Sequence, residues 1–430
     1  MPLLLFSLLL LALPQGTLAA DQQPPAKPIL TPIFKDPSTS LYTIPIKDGA
    51  APLVLDLAGP LLWSTCAPAH RTIPCNSSVC RVAGRNPPAG CACTSGGQPN
   101  TNTNSTGRRC TCTACPYNLA TGQCGRGDVT AVPLSANATD GRNPLFPVPF
   151  SAFGSCAPDA LLASLPSGAA GVAGLSRLPL SLPSQVASVL KVAKRFALCL
   201  PTRGARSGAA IFGGGPFQLL AAPPVDVAEG FFEDPYPFHF LKNPRNGAYY
   251  VRVTGIEVNN ERVPLPPGIF DLHARSGTGG VMLSTMTSYT TLRSEIYRPL
   301  RRAFDAATSG IPRAAPVEPF EMCYQVSALS STRLGFGVAN IVLLLDGGGS
   351  WLLAGNASLV QVNDRTVCFA FLEMGSATVV PGSPAVIFGG FQMEDHLLLF
   401  DLEKEAFGFR GPLPGIRTHC GNFDFSMGSS

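Results

Sequence analysis

A mainly β, two-lobed molecule with a few short helices is the fold this sequence predicts, on three observations. The chain has 430 residues, more than a single hydrophobic core usually serves, so two lobes are the prior. It holds 44 glycines and 42 prolines and only 13% charged residues, which suits short strands joined by many turns. Third, Ala210-Ile211-Phe212-Gly213-Gly214 returns as Val386-Ile387-Phe388-Gly389-Gly390. Both words read as a buried strand ending in a glycine turn, and one echo at long spacing points to duplicated lobes rather than a solenoid. The lobes are placed at 21–216 and 217–430, with the boundary region running from Pro216 to Pro224.

The elements follow in order. An apolar run from Leu3 to Leu13, then Pro14, Gly16 and small residues ending at Ala19-Ala20, has the pattern of a signal peptide, residues 1–20, cleaved near Asp21. The run is too short to cross about 30 Å of hydrocarbon and nothing comparable follows, so a soluble secreted product without a membrane partner is expected. Leu41 to Ile46, a turn at Asp48-Gly49 and Leu53-Val54-Leu55-Asp56 form a hairpin that delivers Asp56 to a strand end. Gly84 to Arg109, rich in Asn, Thr, Gly and Pro, has no hydrophobic period and is expected to be an exposed loop pinned by cysteines. Helical spacing is local. From Ser184 to Phe196, the residues Val186, Val189, Leu190 and Ala193 recur at three- and four-residue steps. From Ser294 to Ala307, the residues Ile296, Leu300 and Phe304 share a face, and Pro299 implies a kink or a later start.

Fourteen cysteines in a secreted chain imply up to seven disulfides. Nine of them crowd the segment from Cys66 to Cys124. With no companion histidine, Cys91-Ala92-Cys93 and Cys110 to Cys115 read as cross-links rather than zinc ligands, so no metal and no cofactor are expected. A net charge of +4 on scattered Lys and Arg gives little support to a nucleic-acid partner. Asn76, Asn104, Asn137 and Asn356 each begin an Asn-X-Ser/Thr triplet and are candidate glycosylation sites.

The chemistry is decided by two short loops. Val54-Leu55-Asp56-Leu57-Ala58-Gly59-Pro60-Leu61-Leu62-Trp63-Ser64-Thr65-Cys66 resembles the segment of plant pepsin-like aspartic proteases in which two hydrophobic residues precede Asp-Thr-Gly-Ser and a cysteine stands three residues after a tryptophan. Gly171 to Ser176, Leu180 to Gln185, both Phe-Gly-Gly turns, Phe400-Asp401-Leu402 and Phe407-Gly408-Phe409 are similar to further family segments, so the resemblance spans nearly the whole mature chain and implies a pepsin-like fold. In Gly279-Gly280-Val281-Met282-Leu283-Ser284-Thr285-Met286-Thr287 it puts Ser284 where the second catalytic aspartate of the proteases stands. Aspartic proteolysis needs two carboxylates sharing one proton, one to activate water and one to protonate the carbonyl oxygen. Asp56 alone is an unpaired carboxylate, so no catalytic residues are assigned. Leu57, Ala58 and Met286 stand where the family has threonine, glycine and glycine, and side chains there alter how the loops approach. Ser284 as a nucleophile would need a neighbouring base. None of His70, His239, His273, His396 and His419 lies in a context that marks it as one.

Asp36 to Pro45, Ala58 to Cys66, Gly279 to Thr285 and Phe391-Gln392-Met393-Glu394-Asp395 also resemble the cereal TAXI-type xylanase inhibitors. That resemblance implies a monomeric plant apoplastic protein whose partner is a microbial glycoside hydrolase, a family 11 xylanase in particular. It implies disulfides between Cys199 and Cys420 and between Cys323 and Cys368. It also points to a target-binding histidine four residues before the last cysteine; here that position is Ile416, flanked by Arg417 and His419. The alternatives are a non-inhibitory binding or storage protein of this fold and an inhibitor of a different endoglucanase. Exposure of Ile416-Arg417 near the ends of other loops favours binding.

Overall fold

The computed structural model describes residues 27–47, 51–84, 91, 110–139, 145–215, 217–220, 225–226, 238–375, 382–423 and 425. The signal peptide at 1–20, the Asp48-Gly49 turn, most of the 84–109 loop with Asn104, and Pro216 and 221–224 of the boundary region lie outside the described residues.

One strand arrangement occurs twice. In the N-terminal half, Leu53–Asp56, buried at every position, runs antiparallel to Tyr42–Ile44 and parallel to Gly171–Gly174, which turns antiparallel to Leu62–Ser64. In the C-terminal half, Val281–Leu283 runs antiparallel to Tyr250–Val251 and parallel to Val386–Phe388, which is antiparallel to Thr290–Leu292. Strands with neighbours on both sides and both faces covered must be continuous hydrophobic runs. Leu53-Val54-Leu55 and Val281-Met282-Leu283 are such runs, and each stops at a polar residue, Asp56 and Ser284.

This topology corrects the sequence echo. The counterpart of Val386–Phe388 is Gly171–Gly174, whereas Gly208–Phe212 belongs to a different sheet position, between Arg195–Cys199 and Ile29–Lys35. The two Phe-Gly-Gly words meet separate local needs. A Cβ on Gly389 would lie 2.5 Å from the Tyr289 carbonyl carbon, a demand of close packing, whereas Gly213 adds to a close approach by Val192 a φ of +103°, a demand of backbone conformation as well.

The halves share a sheet. Leu397–Asp401 pairs with Arg195–Cys199 on one side and Ala406–Arg410 on the other, so strands from the end of the chain complete a sheet begun near its start. Phe196 and Phe400 stack across that pairing at 4.5 Å, with Tyr249 and Phe407 beside Phe400. Burying each such ring stabilises by roughly 1.5–3 kcal/mol.

The helices depart from the sequence pattern in instructive ways. The first of the two expected from the sequence spans Leu182–Leu190 and stops at Lys191 in a left-handed conformation. Phe196 is already in the strand Arg195–Cys199, and Val189 is exposed. The buried face is set by Leu182 and Val186 with Gln185, whose amide donates to the carbonyls of Phe153 and Leu180. Polar anchoring, invisible to a hydrophobic period, replaces part of the apolar stripe. The second helix spans Ser294–Ala307 with Ile296, Leu300 and Phe304 buried. It starts no later for holding Pro299 inside it, because the packed face outweighs the one backbone donor that proline removes.

Six disulfides join described residues: Cys66–Cys156, Cys75–Cys110, Cys80–Cys112, Cys91–Cys124, Cys199–Cys420 and Cys323–Cys368. Among the described residues no helix is long and apolar enough to cross a membrane.

Candidate functional site

The paired strand ends bring Asp56 and Ser284 to the junction of the halves, and both are buried, Asp56 at 4% exposure and Ser284 at 0%. The Asp56 Oδ1 accepts from the Ala58 N–H at 2.9 Å. Burial pushes its carboxyl up to about 6, against the opposing pull of the Ala58 and Gly59 N–H groups. The Ser284 hydroxyl accepts from the Met286 N–H and lies 3.3 Å from the Thr287 hydroxyl. No hydrogen bond links Asp56 to Ser284 among the described residues. The loops interlock in one direction. The Thr285 hydroxyl donates to the Leu55 carbonyl at 2.6 Å and accepts from the Leu57 N–H at 3.2 Å, while Leu57, in the matching position, has no hydroxyl to reciprocate.

Two side chains of these loops pack across the junction. Met286 is buried among Leu41, Trp63, Val129 and Leu161 of the N-terminal half. Ala58 packs in the opposite sense, against Ala248, Tyr250 and Met282 of the C-terminal half. Gly59 stays glycine under constraint, since a Cβ there would lie 2.7 Å from the Gly174 Cα. Among the described residues the junction holds one buried carboxylate, Asp56, and one buried hydroxyl, Ser284, each accepting a backbone N–H of its own loop.

The other candidates disperse. His396 is wholly buried, its ring pushed down to about 4 by desolvation, with Nδ1 2.8 Å from the Glu394 carbonyl. Among the described residues the one grouping of potential metal donors is Cys66, His70 and Cys156, and both sulfurs are consumed by the Cys66–Cys156 disulfide. Asn76 is exposed, whereas Asn137 and Asn356 are half-buried.

The C-terminal loop is the opposite of the junction: displayed and tightly held. Leu413–Ile416 forms a single 3₁₀ turn ended by Arg417 at φ 61°. Ile416 is 47% exposed, Arg417 and His419 are exposed, and Thr418 between them is buried. Asp395 clasps both ends. Its carbonyl accepts from the Leu413 N–H at 2.9 Å and its Oδ1 from the Cys420 N–H at 3.0 Å. The Thr418 hydroxyl donates to the Leu220 carbonyl, and the Cys199–Cys420 disulfide fixes the far end. Leu334, in the turn between Ser331–Thr332 and Gly335–Phe336, lies 3.9 Å from where a Gly415 Cβ would sit, so another loop end adjoins the turn. Sequence reasoning missed the Asp395 clasp. The signal available was a polar triplet, Glu394-Asp395-His396, beside the apolar run Leu397 to Phe400.

Comparison with known proteins places this geometry. A family model described as xylanase inhibitor N-terminal matches residues 42–214, and one described as xylanase inhibitor C-terminal matches residues 248–411. The chain is 45% identical to chitinase CLP of Oryza sativa subsp. japonica, over 97% of this chain and 96% of that protein. It is 31% identical to gamma conglutin 1 of Prunus dulcis, over 99% and 96%. Among solved structures, it superposes on edgp with a TM-score of 0.80 at 30% identity, covering 93% of this chain and 98% of that one.

Proposed function

The chain belongs to the xylanase-inhibitor-type family of pepsin-like fold, and from that premise we propose that it is a secreted, apoplastic inhibitor of microbial cell-wall-degrading glycoside hydrolases, family 11 endo-1,4-β-xylanases first among them. In this reading Ser284 stands for the second aspartate, the junction is inert, and the division at 216/217 separates the lobes. The observation that carries it is the tightly held C-terminal loop that exposes Ile416, Arg417 and His419. A retaining xylanase holds two carboxylates about 5–5.5 Å apart in its cleft. An inserted guanidinium can donate to both oxygens of a carboxylate, so Arg417 takes the pairing role, His419 adds a donor, and Ile416 excludes water.

Titration of the purified protein against family 11 and family 12 endoglycanases, following activity and binding together, tests this. The expected result is inhibition that weakens at least tenfold in Arg417→Ala, consistent with loss of about 1.4 kcal/mol or more. Absence of both binding and inhibition at micromolar concentration sinks the reading and leaves a non-inhibitory binding or storage role, the one suggested by similarity to gamma conglutin. Similarity to a protein named chitinase raises chitin hydrolysis as a second reading. Glycoside hydrolysis by the usual route needs two carboxylates flanking the bond, and the junction has Asp56 alone, buried. No release of soluble sugar from chitin oligomers is expected.

A further inference from the structure

Basic side chains far apart in the sequence meet at one end of the shared sheet. Strands Arg195–Cys199 and Gly208–Phe212 pair with Cys199 opposite Ala209, and residues 200–207 connect them with Arg203 and Arg206 exposed. The Cys199–Cys420 disulfide pins the C-terminal loop beside this connection; the Ser207 carbonyl oxygen is 3.4 Å from where a Gly421 Cβ would sit. Arg417 and His419 therefore share an end of the molecule with Arg203 and Arg206. Neither 200–207 nor 413–421 contains an acidic residue, and no salt bridge among the described residues involves these four side chains. The neighbouring carboxylates are turned inward. Glu394 is buried against Lys35 and Tyr42, and Asp395 is spent on the Cys420 N–H.

We propose that this end-face is a recognition surface for a protein with an acidic contact face, in which Arg203 and Arg206 steer approach while Arg417, His419 and Ile416 dock. The inference rests on the binding role proposed above but not on the target being a xylanase. A protein fits better than an acidic polysaccharide because exposed Ile416 adds to the cations the apolar component of a protein interface. Charge complementarity of this kind acts chiefly on association rate, by tenfold or more at low salt.

The experiment measures association and dissociation rates with a family 11 xylanase at low and physiological ionic strength, and retention on immobilised poly-L-glutamate and polygalacturonate. It compares the wild-type chain, Arg203→Glu/Arg206→Glu, the milder Arg203→Gln/Arg206→Gln, and Arg262→Glu as a control on another exposed arginine. The expected result is an association rate that falls with salt. It should drop about tenfold or more in the double glutamate variant and less in the glutamine variant, with dissociation changed by less than about twofold and the control unaffected. Xylanase binding with unchanged association rates in both double variants overturns the proposal. If the xylanase does not bind at all, the earlier reading fails separately and poly-L-glutamate decides: retention lost in the double variants but kept in Arg262→Glu supports the surface, and equal retention overturns it. Stronger retention on polygalacturonate than on poly-L-glutamate overturns the protein partner.

Discussion

Two carboxylates carry distinct burdens at the scale of single residues. Asp56 has its carboxyl raised to about 6 by burial, against about 3.9 in an unfolded chain. The folded state therefore holds its proton more tightly, and this group's contribution to stability falls as pH rises from about 4 to about 6, with the full cost present above. Two units correspond to about 3 kcal/mol. Asp56→Asn, which keeps an oxygen for the Ala58 N–H, is expected to stabilise at pH 7 by up to about 3 kcal/mol and to do little at pH 4. Urea unfolding at both pH values checks this, and equal stability at pH 7 would show that the charge is not buried. Asp395 combines a left-handed backbone, φ 51°, with the side-chain bond to Cys420. Asn suits both demands, Gly suits only the backbone, and Ala suits neither. Hydrogen exchange at the Cys420 amide is expected near wild type in Asp395→Asn and about tenfold faster in Asp395→Gly. Unchanged exchange in the glycine variant would mean that the side chain holds nothing.

Where elements meet, the one-way interlock sets how the paired loops are joined. Thr285→Val removes the hydroxyl that serves both the Leu55 carbonyl and the Leu57 N–H, leaving two buried backbone groups unpaired at a cost of about 1–3 kcal/mol or more. Thermal unfolding of that variant measures the loss; an unchanged midpoint would show that neighbouring groups or water replace the hydroxyl. Met286→Gly is expected to destabilise by about 2–5 kcal/mol through the cavity it leaves between the halves. It gains no peptide hydrolysis, because reopening the space does not supply a second carboxylate. Detectable cleavage of a peptide substrate by this variant would contradict the assignment of Ser284.

Across the whole molecule, the shared sheet and the Cys199–Cys420 bond join the two halves by separate means. A single proteolytic nick between residues 220 and 225 is expected to leave two pieces that run together on a denaturing gel until a thiol reductant is added. Separation without reductant would refute that pairing. The sequence by itself determined the class of fold, since short apolar runs, abundant Gly and Pro and the cysteine count are local properties. By resemblance of two short loop motifs to the pepsin-like proteases, it further implied that Ser284 stands where a second aspartate would, beside a lone Asp56. Only the tertiary structure decided which strands are counterparts, because Phe-Gly-Gly suits any buried strand that ends in a close approach and carries no record of its neighbours. It alone decided that Met286 and Ala58 pack into opposite halves, that Asp395 closes the loop at 413–420, and that the 200–207 connection meets the C-terminal loop at Cys199–Cys420. Each of these is a contact between residues distant in the chain, fixed by strand pairing and a disulfide rather than by any local pattern.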